Sequence, residues 1–341
     1  MKNLLLITQK VDQDDQLLGF FIDWLKRLAD KFGSITVLCL ERGKFDLPKN
    51  VKVISLGKDR GAGKLKILFN FYSLIFSLRQ NYDAVFVHMN PIWVVAGGAT
   101  WRAMHKKIYF WYTHKAVTPK LRLAEKFANF IFTASKESFR LPSKKIIITG
   151  HGIDTDLFRL DSKLKIQDSK LRILSVGRIA PVKNYEVLVQ ATKILADEGV
   201  DFEVTMVGEP ALDADSEYQR DLKRSINDLK LDGRFNFVGK INYQNLPSYY
   251  QSHDIFIHLS KTGSLDKTIL EAMSCGLTVL SCNDSSRAFL PREYTFDQEN
   301  DKELAENIKF AALNPKNFRE YVIKNHNLDK LINQISATIN S

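Results

Sequence analysis

Short apolar runs alternate with helix-forming segments along almost the whole chain, and the alternation occurs twice, with a polar break at 161–170 between the two series. The first series predicts strands at 3–8, 35–40, 51–56, 84–88, 107–111, 130–134 and 145–149, with helices at 17–32, 64–80 and 119–129. The second predicts strands at 171–176, 202–207, 235–238, 254–258 and 278–281, with helices at 184–198, 217–229 and 266–275. Runs such as Val85-Phe86-Val87 are apolar at consecutive positions, as strands covered on both faces must be, and strands separated by helices pair in parallel. The expected fold class is therefore α/β, with two doubly wound parallel-sheet domains of Rossmann-like type at 1–160 and 161–315. The stretch 303–339 reads as amphipathic helix broken near Asn314-Pro315, so 316–341 is expected to pack back on the first domain.

Cys39, Cys275 and Cys282 lie in or beside apolar runs without CxxC or bridge-like spacing, which predicts free thiols in a reducing compartment. The apolar run from Leu4 to Ile7 is too short for a signal-peptide core, and no segment approaches the roughly 18–20 apolar residues that cross a bilayer. The net charge is +10, yet residues 1–160 hold 26 Lys and Arg against 13 Asp and Glu, whereas 161–341 hold 23 against 26. The basic excess thus belongs to the first domain and points to a polyanionic partner there, or to a solvated surface that serves solubility. Nucleic acid is disfavoured, because no zinc-ligand spacing, RNA-recognition signature or helix-turn-helix pattern accompanies the charge. An anionic membrane surface fits better: Trp101, Arg102, Lys106, Lys107, Lys115, Lys120, Arg122 and Lys126 interleave aromatic and cationic groups, each cation contributing about 1 kcal/mol near such a surface. The 64–80 helix is apolar nearly all round, so burial accounts for most of it, and Lys58, Arg60, Lys64 and Lys66 form a basic flank. The expected setting is cytoplasmic, peripheral on the inner face of the membrane.

Two stretches carry chemistry. Val176-Gly177-Arg178-Ile179-Ala180-Pro181-Val182-Lys183-Asn184 takes a buried strand into a loop at its carboxyl end, where open α/β sheets bind ligands. Gly177 permits close approach, and Arg178 and Lys183 supply cations that neutralise a departing pyrophosphate. The second stretch runs from Thr262 to Gly276. Ser264 reads as the N-cap of a helix ending at Cys275, with the N–H groups after Thr262 and Gly263 facing an anion. Glu271 lies inside that helix among Leu270, Ala272 and Met273, where an unpaired carboxylate is costly. Either vicinal ribose hydroxyls or a Lys or Arg side chain would partner it.

The ordered set Thr149-Gly150-His151-Gly152-Ile153-Asp154 with Phe158, Val176-Gly177-Arg178 with Lys183, Met206-Val207-Gly208, Phe237-Val238-Gly239, and Leu270-Glu271-Ala272-Met273 with Gly276 resembles the retaining glycosyltransferases of family four. That family has the GT-B fold, two Rossmann-like domains facing across a cleft. The resemblance covers 80–285 well and the first 80 residues in outline. It implies a nucleoside-diphosphate sugar donor, carrying UDP or GDP, whose diphosphate is held by Arg178 and Lys183 and whose ribose is held by Glu271. The turn of Thr262, Gly263, Ser264 and Leu265 would reach the phosphate and donor sugar through main-chain N–H groups, and the turn with Lys240 and Ile241 would lie near the base. His114 is similar in place to the family's histidine at the donor sugar. His88 stands likewise at a strand end, and a structural role is open to both; His258 reads as core and the remaining histidines as surface. The resemblance further implies hexosyl transfer with retention to a glycan or lipid-linked acceptor on the first domain, with no metal and no cofactor.

One departure from the family pattern bears on the activity. Eight residues before Glu271 the family carries a second Glu, and here stands Gly263. Asp266 is either its substitute or an ordinary first-turn helix acid. A nucleotide-sugar epimerase and a membrane-docked nucleotide-binding scaffold are therefore the competing readings. Asp213-Ala214-Asp215 reads as a polar loop leading into a helix, and no metal is assigned to it.

Overall fold

The computed structural model describes all residues except Gln16, 162–168, Thr262 and Gly263. It divides into two compact units, Met1–Asp154 with His326–Ser341, and Thr155–Asn325. The first unit is built on seven parallel strands: β1 (Leu4–Val11), β2 (Ile35–Arg42), β3 (Val51–Ser55), β4 (Ala84–His88), β5 (Lys107–Trp111), β6 (Phe130–Thr133) and β7 (Ile146–Ile148), in the order β3-β2-β1-β4-β5-β6-β7. Its helices are α1 (Phe21–Ala29), α2 (Lys64–Ser77), α3 (Pro91–Ala103) and α4 (Pro119–Phe127).

The consecutive apolar residues of these strands sort onto two cores. Leu4 and Leu6 of β1, Ala84 and Phe86 of β4, and Tyr109 and Trp111 of β5 join one core. Leu5 and Ile7, Val85 and Val87, and Ile108 and Phe110 join the other. Side chains alternate across a strand, so a run without polar positions has to be covered on both faces. On the first face the cover is α1 with the last helix of the chain, through Leu25, Leu28, Leu331 and Ile335.

Helix α3 escapes a search for amphipathic periodicity because it is apolar all round and carries Gly97 and Gly98 at its centre. Those glycines are packing devices: a Cβ on Gly97 would run into the Trp101 ring, and one on Gly98 into Phe127. Helix α2 departs from expectation in the opposite sense. Only Phe71 and Ile75 are buried, and most of its remaining apolar side chains are partly or largely in solvent.

The second unit holds five parallel strands, β8 (Leu171–Val176), β9 (Phe202–Val207), β10 (Phe235–Gly239), β11 (Ile255–His258) and β12 (Thr278–Ser281), in the order β10-β9-β8-β11-β12. Helices α5 (Tyr185–Asp197), α6 (Asp213–Asp228), α7 (Leu246–Gln251), α8 (Lys267–Ser274), α9 (Asp301–Leu313) and α10 (Arg319–Asn325) surround it. Asp213-Ala214-Asp215 is the first turn of α6, four residues earlier than the sequence pattern suggests, because the buried Asp215 carboxylate accepts from the N–H groups of Ala211 and Leu212, both at 3.2 Å, and caps the helix start.

The chain returns to the first unit with α11 (Leu328–Asn340). The divisions fall at 154/155 and 325/326, compared with 160/161 and 315/316 from sequence pattern. Asp154 stays with the first unit through an ion pair to Arg27 at 2.8 Å, and α10 stays with the second because Arg319 donates to the carbonyls of Thr155 and Phe158, both at 2.8 Å. Among the described residues no helix is long and apolar enough to cross a membrane. Cys39, Cys275 and Cys282 are all free and buried.

Three histidines expected at the surface, His151, His253 and His326, are buried instead. The backbone N–H of His151 donates to His326 Nδ1 at 3.2 Å. Burial pushes the His326 imidazole down from 6.5 to about 4. The unfolded chain therefore takes up a proton below pH 6.5 that the native chain refuses until about pH 4, so stability falls as pH drops through that window. The expected loss from this residue is on the order of 3 kcal/mol by pH 4. Urea midpoints measured between pH 7.5 and 4.5 check it: His326→Gln should flatten the slope, and an unchanged slope counts against the assignment.

Candidate functional site

In the second sheet the strand order reverses between β8 and β11, which leaves a crevice beyond their carboxyl ends; this is where an open α/β sheet accepts ligands. The residues singled out from sequence in the second unit emerge there. Beyond β8 come Gly177, Arg178 and Lys183, and beyond β11 come Ser264, Leu265 and Asp266. Thr262 and Gly263 lie outside the described residues.

Three glycines let the strand ends approach one another. The Gly177 N–H donates to the Val207 carbonyl at 2.9 Å, and the Gly208 N–H to the Gly239 carbonyl at 2.8 Å. Gly208 has φ +134°, and a Cβ there would collide with the carbonyl oxygen of Gly177. Lys183 ends a single 3₁₀ turn, Pro181–Lys183, which the left-handed Asn184 closes at φ +46°. The Asn184 amide then donates to the Gln298 carbonyl at 2.8 Å, so the loop that carries Lys183 is tied down.

Lys183, Asp266 and His258 form one cluster. Lys183 Nζ lies 3.1 Å from Asp266 Oδ2, and His258 Nε2 lies 2.7 Å from the same oxygen. Burial lowers the His258 pKa, more than the Asp266 carboxylate raises it, so the imidazole is neutral and its Nε2–H donates to Asp266. Burial opposes ionisation of Asp266, but the His258 hydrogen bond and the Lys183 charge outweigh it and hold the carboxyl well below the usual carboxylate range. His258, read from sequence as core, is indeed buried, yet it orients a site residue.

Asp266 is also the residue that precedes α8, displacing Ser264 from that role. Its side chain caps nothing, since it is turned toward Lys183 and His258. The Ser264 carbonyl instead accepts from the buried Asn283 amide at 3.0 Å, which fixes the loop from below. Leu265 is buried beside it.

Arg178 is exposed, and its Nε sits 3.7 Å from Asp215 Oδ2. Glu271 is 3 % exposed and accepts a hydrogen bond from the Tyr250 hydroxyl at 3.2 Å. Burial raises its pKa, against weaker opposing effects of Lys267, Tyr250 and Tyr243. Phenols from α7 and from the turn before it hydrogen-bond the carboxylate, and the Lys267 charge acts on it from one turn earlier in α8. The structure thus joins Lys183 and Asp266 directly, and gives Arg178 and Glu271 separate partners. Lys240 and Ile241 follow Gly239 at the same end of the sheet, two strands from β8 and so roughly 10 Å away at ordinary strand spacing.

The two histidines of the first unit differ. His114 is exposed beyond β5, and its Nδ1 accepts from the Ala116 N–H at 3.1 Å. His88, at the end of β4, is buried, bonded through Nδ1 to Thr8 Oγ1 at 3.1 Å and stacked on Phe21 at 4.2 Å between ring centroids. It also borders a cavity of about 480 Å³ shared with Lys10, Asp15, Glu41 and Met89. This cavity sits where the first sheet reverses, between β1 and β4. Nothing in the sequence places Asn283 or Tyr250 at the site, and the Asp213-Ala214-Asp215 pattern gives no hint that Asp215 pairs with Arg178; these partners lie 19, 21 and 37 residues away.

Residues 158–328, just over half of the chain, match the model of the family described as glycosyl transferases group 1. The chain belongs to that family. Among curated relatives it is 33 % identical over 153 residues to the amylovoran biosynthesis glycosyltransferase AmsK of Erwinia amylovora, spanning 42 % of this chain and 35 % of that one. It is 32 % identical over 127 residues to the alpha-monoglucosyldiacylglycerol synthase of Streptococcus pneumoniae, spanning 37 % of this chain and 27 % of that one. The chain thus spans about a third of the length of these curated relatives. Anabaena HepE, solved in complex with UDP, superimposes with a TM-score of 0.79 at 18 % identity over 100 % of both chains. At that identity the likeness shows the fold, which is GT-B, with two Rossmann-like parallel-sheet units.

Proposed function

We propose that this group 1 chain is a retaining glycosyltransferase of family four, moving a hexosyl unit from a nucleoside-diphosphate sugar to a hydroxyl of a glycan or lipid-linked acceptor. The observation that carries the reading is the pair of cations, Arg178 and Lys183, each set by a carboxylate at the reversal point of the second sheet. A diphosphate entering there takes Lys183 from Asp266 and Arg178 from Asp215. Its charge is then met by two positively charged donors as the glycosidic bond breaks, so that the leaving phosphate draws the proton from the acceptor hydroxyl. Neither metal nor cofactor has a step in this scheme.

Asp266, freed from Lys183 and still held by His258, is left as an acceptor for donor-sugar hydroxyls, the role of the acid that Gly263 replaces. Glu271 takes the ribose, the main-chain groups around Ser264 the phosphate, and His114 the sugar. The UDP in the HepE complex supports a uridine nucleotide over GDP. The likeness to an alpha-monoglucosyldiacylglycerol synthase supports a lipid acceptor, and with the basic first unit it supports peripheral attachment to the cytoplasmic leaflet.

The test is a panel of UDP and GDP sugars, each incubated with the protein with and without lipid and glycan acceptors. Acceptor-dependent release of free nucleotide is expected from at least one donor. Interconversion of the sugar without release would make the chain an epimerase, and binding without either would make it a scaffold; both outcomes overturn the reading.

A further inference from the structure

Helix α2 carries two apolar faces. Phe71 and Ile75 enter the core beneath it. Leu65, Leu68, Phe69 and Phe76 fall within an arc of about 100° on the outward side, at the i, i+3, i+4, i+11 spacing of a helical stripe. Leu65 is 85 % exposed, Phe69 67 %, Phe76 48 % and Leu68 40 %. Burial in the first unit therefore does not account for them. A row of large apolar side chains held in water along about 16 Å of helix marks an interaction surface. The helix is not loosely held, since the Tyr72 hydroxyl donates to the Ala96 carbonyl of α3 at 2.8 Å.

The charge around the stripe is mostly positive. Lys64 and Lys66 flank its first turn, Arg79 follows its end, and α2 contains no acidic residue. The Lys66 ammonium lies 5.7 Å from the centre of the Phe69 ring. Arg60, in the turn that leads into α2, joins Arg42 and Lys52 around a cavity of about 540 Å³ that holds one acid, Asp59. Apolar side chains at the centre and cations at the rim suit the boundary between acyl chains and negatively charged headgroups. They do not suit a second copy of the same helix, which would bring basic rims together with no acid to meet them.

We propose that the outward stripe of α2 is the surface by which this chain docks on a bilayer rich in anionic phospholipid. Leu65, Phe69 and Phe76 enter the headgroup boundary, while Lys64, Lys66 and the Arg42, Lys52 and Arg60 cluster meet phosphate groups. The inference rests on the membrane attachment proposed above and names where that attachment is made, on α2 as distinct from the cations of α4.

The test is co-sedimentation with vesicles of phosphatidylcholine, with and without phosphatidylglycerol. The wild type is expected to partition at least tenfold better onto the anionic vesicles. The triple variant Leu65→Ser, Phe69→Ser, Phe76→Ser should lose at least tenfold at an unchanged thermal midpoint, since these side chains are outside the core. Lys64→Glu with Lys66→Glu should lose only the anionic preference. A Phe69→Trp variant supplies a readout that removes nothing: its emission should shift to shorter wavelength when anionic vesicles are added. Wild-type-like binding by the triple variant, with binding lost instead in Lys120→Glu, Arg122→Glu, Lys126→Glu, would overturn the α2 surface and leave the membrane attachment standing. A wild type that stays in the supernatant overturns both. A solution dimer dispersed by the triple variant would assign the stripe to self-association and also overturn the proposal.

Discussion

Lys183→Ala is expected to lower donor turnover by about 10²–10³-fold, the loss typical of removing one preorganised electrostatic donor from a transition state, about 2.7–4 kcal/mol. The effect should fall on kcat as well as on donor affinity, because the negative charge on the departing diphosphate is greatest after the glycosidic bond has begun to break. Structural loss is a separate matter. Lys183 is partly exposed and its removal leaves Asp266 bonded to His258, so the melting temperature should change by only a few degrees. With the Lys183 charge gone, one of the influences that keeps His258 neutral disappears, and its pKa should rise. Titration of His258 by NMR in the two proteins reads that shift directly. Turnover within threefold of the wild type at saturating and at low donor would remove Lys183 from the mechanism.

Gly208→Ala should be as damaging as that change, by a different route. The residue holds φ +134°, a conformation that L side chains rarely adopt, and its new Cβ would press on the backbone carbonyl oxygen of Gly177. Backbone cannot swing aside as the tip of a side chain does. The strand end must shift, at a cost of about 3 kcal/mol or more, which corresponds to a drop of roughly 10 °C in melting temperature for a unit of this size. Gly177 immediately precedes Arg178, so whatever fraction remains folded should also turn over donor more slowly. Gly233→Ala is the control. Nothing lies within 4 Å of a Cβ at that position, and its melting temperature should stay within about 2 °C of the wild type. Equal melting of the two variants would mean that the close approach of Gly177 and Gly208 does not constrain the native fold.

What was legible in the sequence follows from how locally each feature is written. The strands β1, β4, β5, β8, β9, β11 and β12 stand within about three residues of their expected ends, because a doubly covered strand needs a short unbroken apolar run bounded by polar residues. Helix α3 was hidden because its apolar residues leave no polar face to set a period, and because glycines that look like breakers serve here to admit Trp101 and Phe127. The sequence pattern sets the start of α6 too late because Asp215 caps it from inside the helix, and an acid-rich triplet there reads as loop. Ser264 has the chemistry of an N-cap, yet Asp266 stands there, since the preceding strand and the Asn283 bond fix where the chain can turn.

Residue order by itself determined the α/β architecture, the two sheets and the placing of Arg178 and Lys183 just beyond a strand, since each depends on periodicities and spacings a few residues long. Only the three-dimensional arrangement decided that an aspartate 83 residues from Lys183 and eight from His258 would hold both, and that α2 would keep one apolar face in water. Pairing of charges and exposure of side chains depend on which elements become neighbours, and that is set by packing over distances no local pattern encodes.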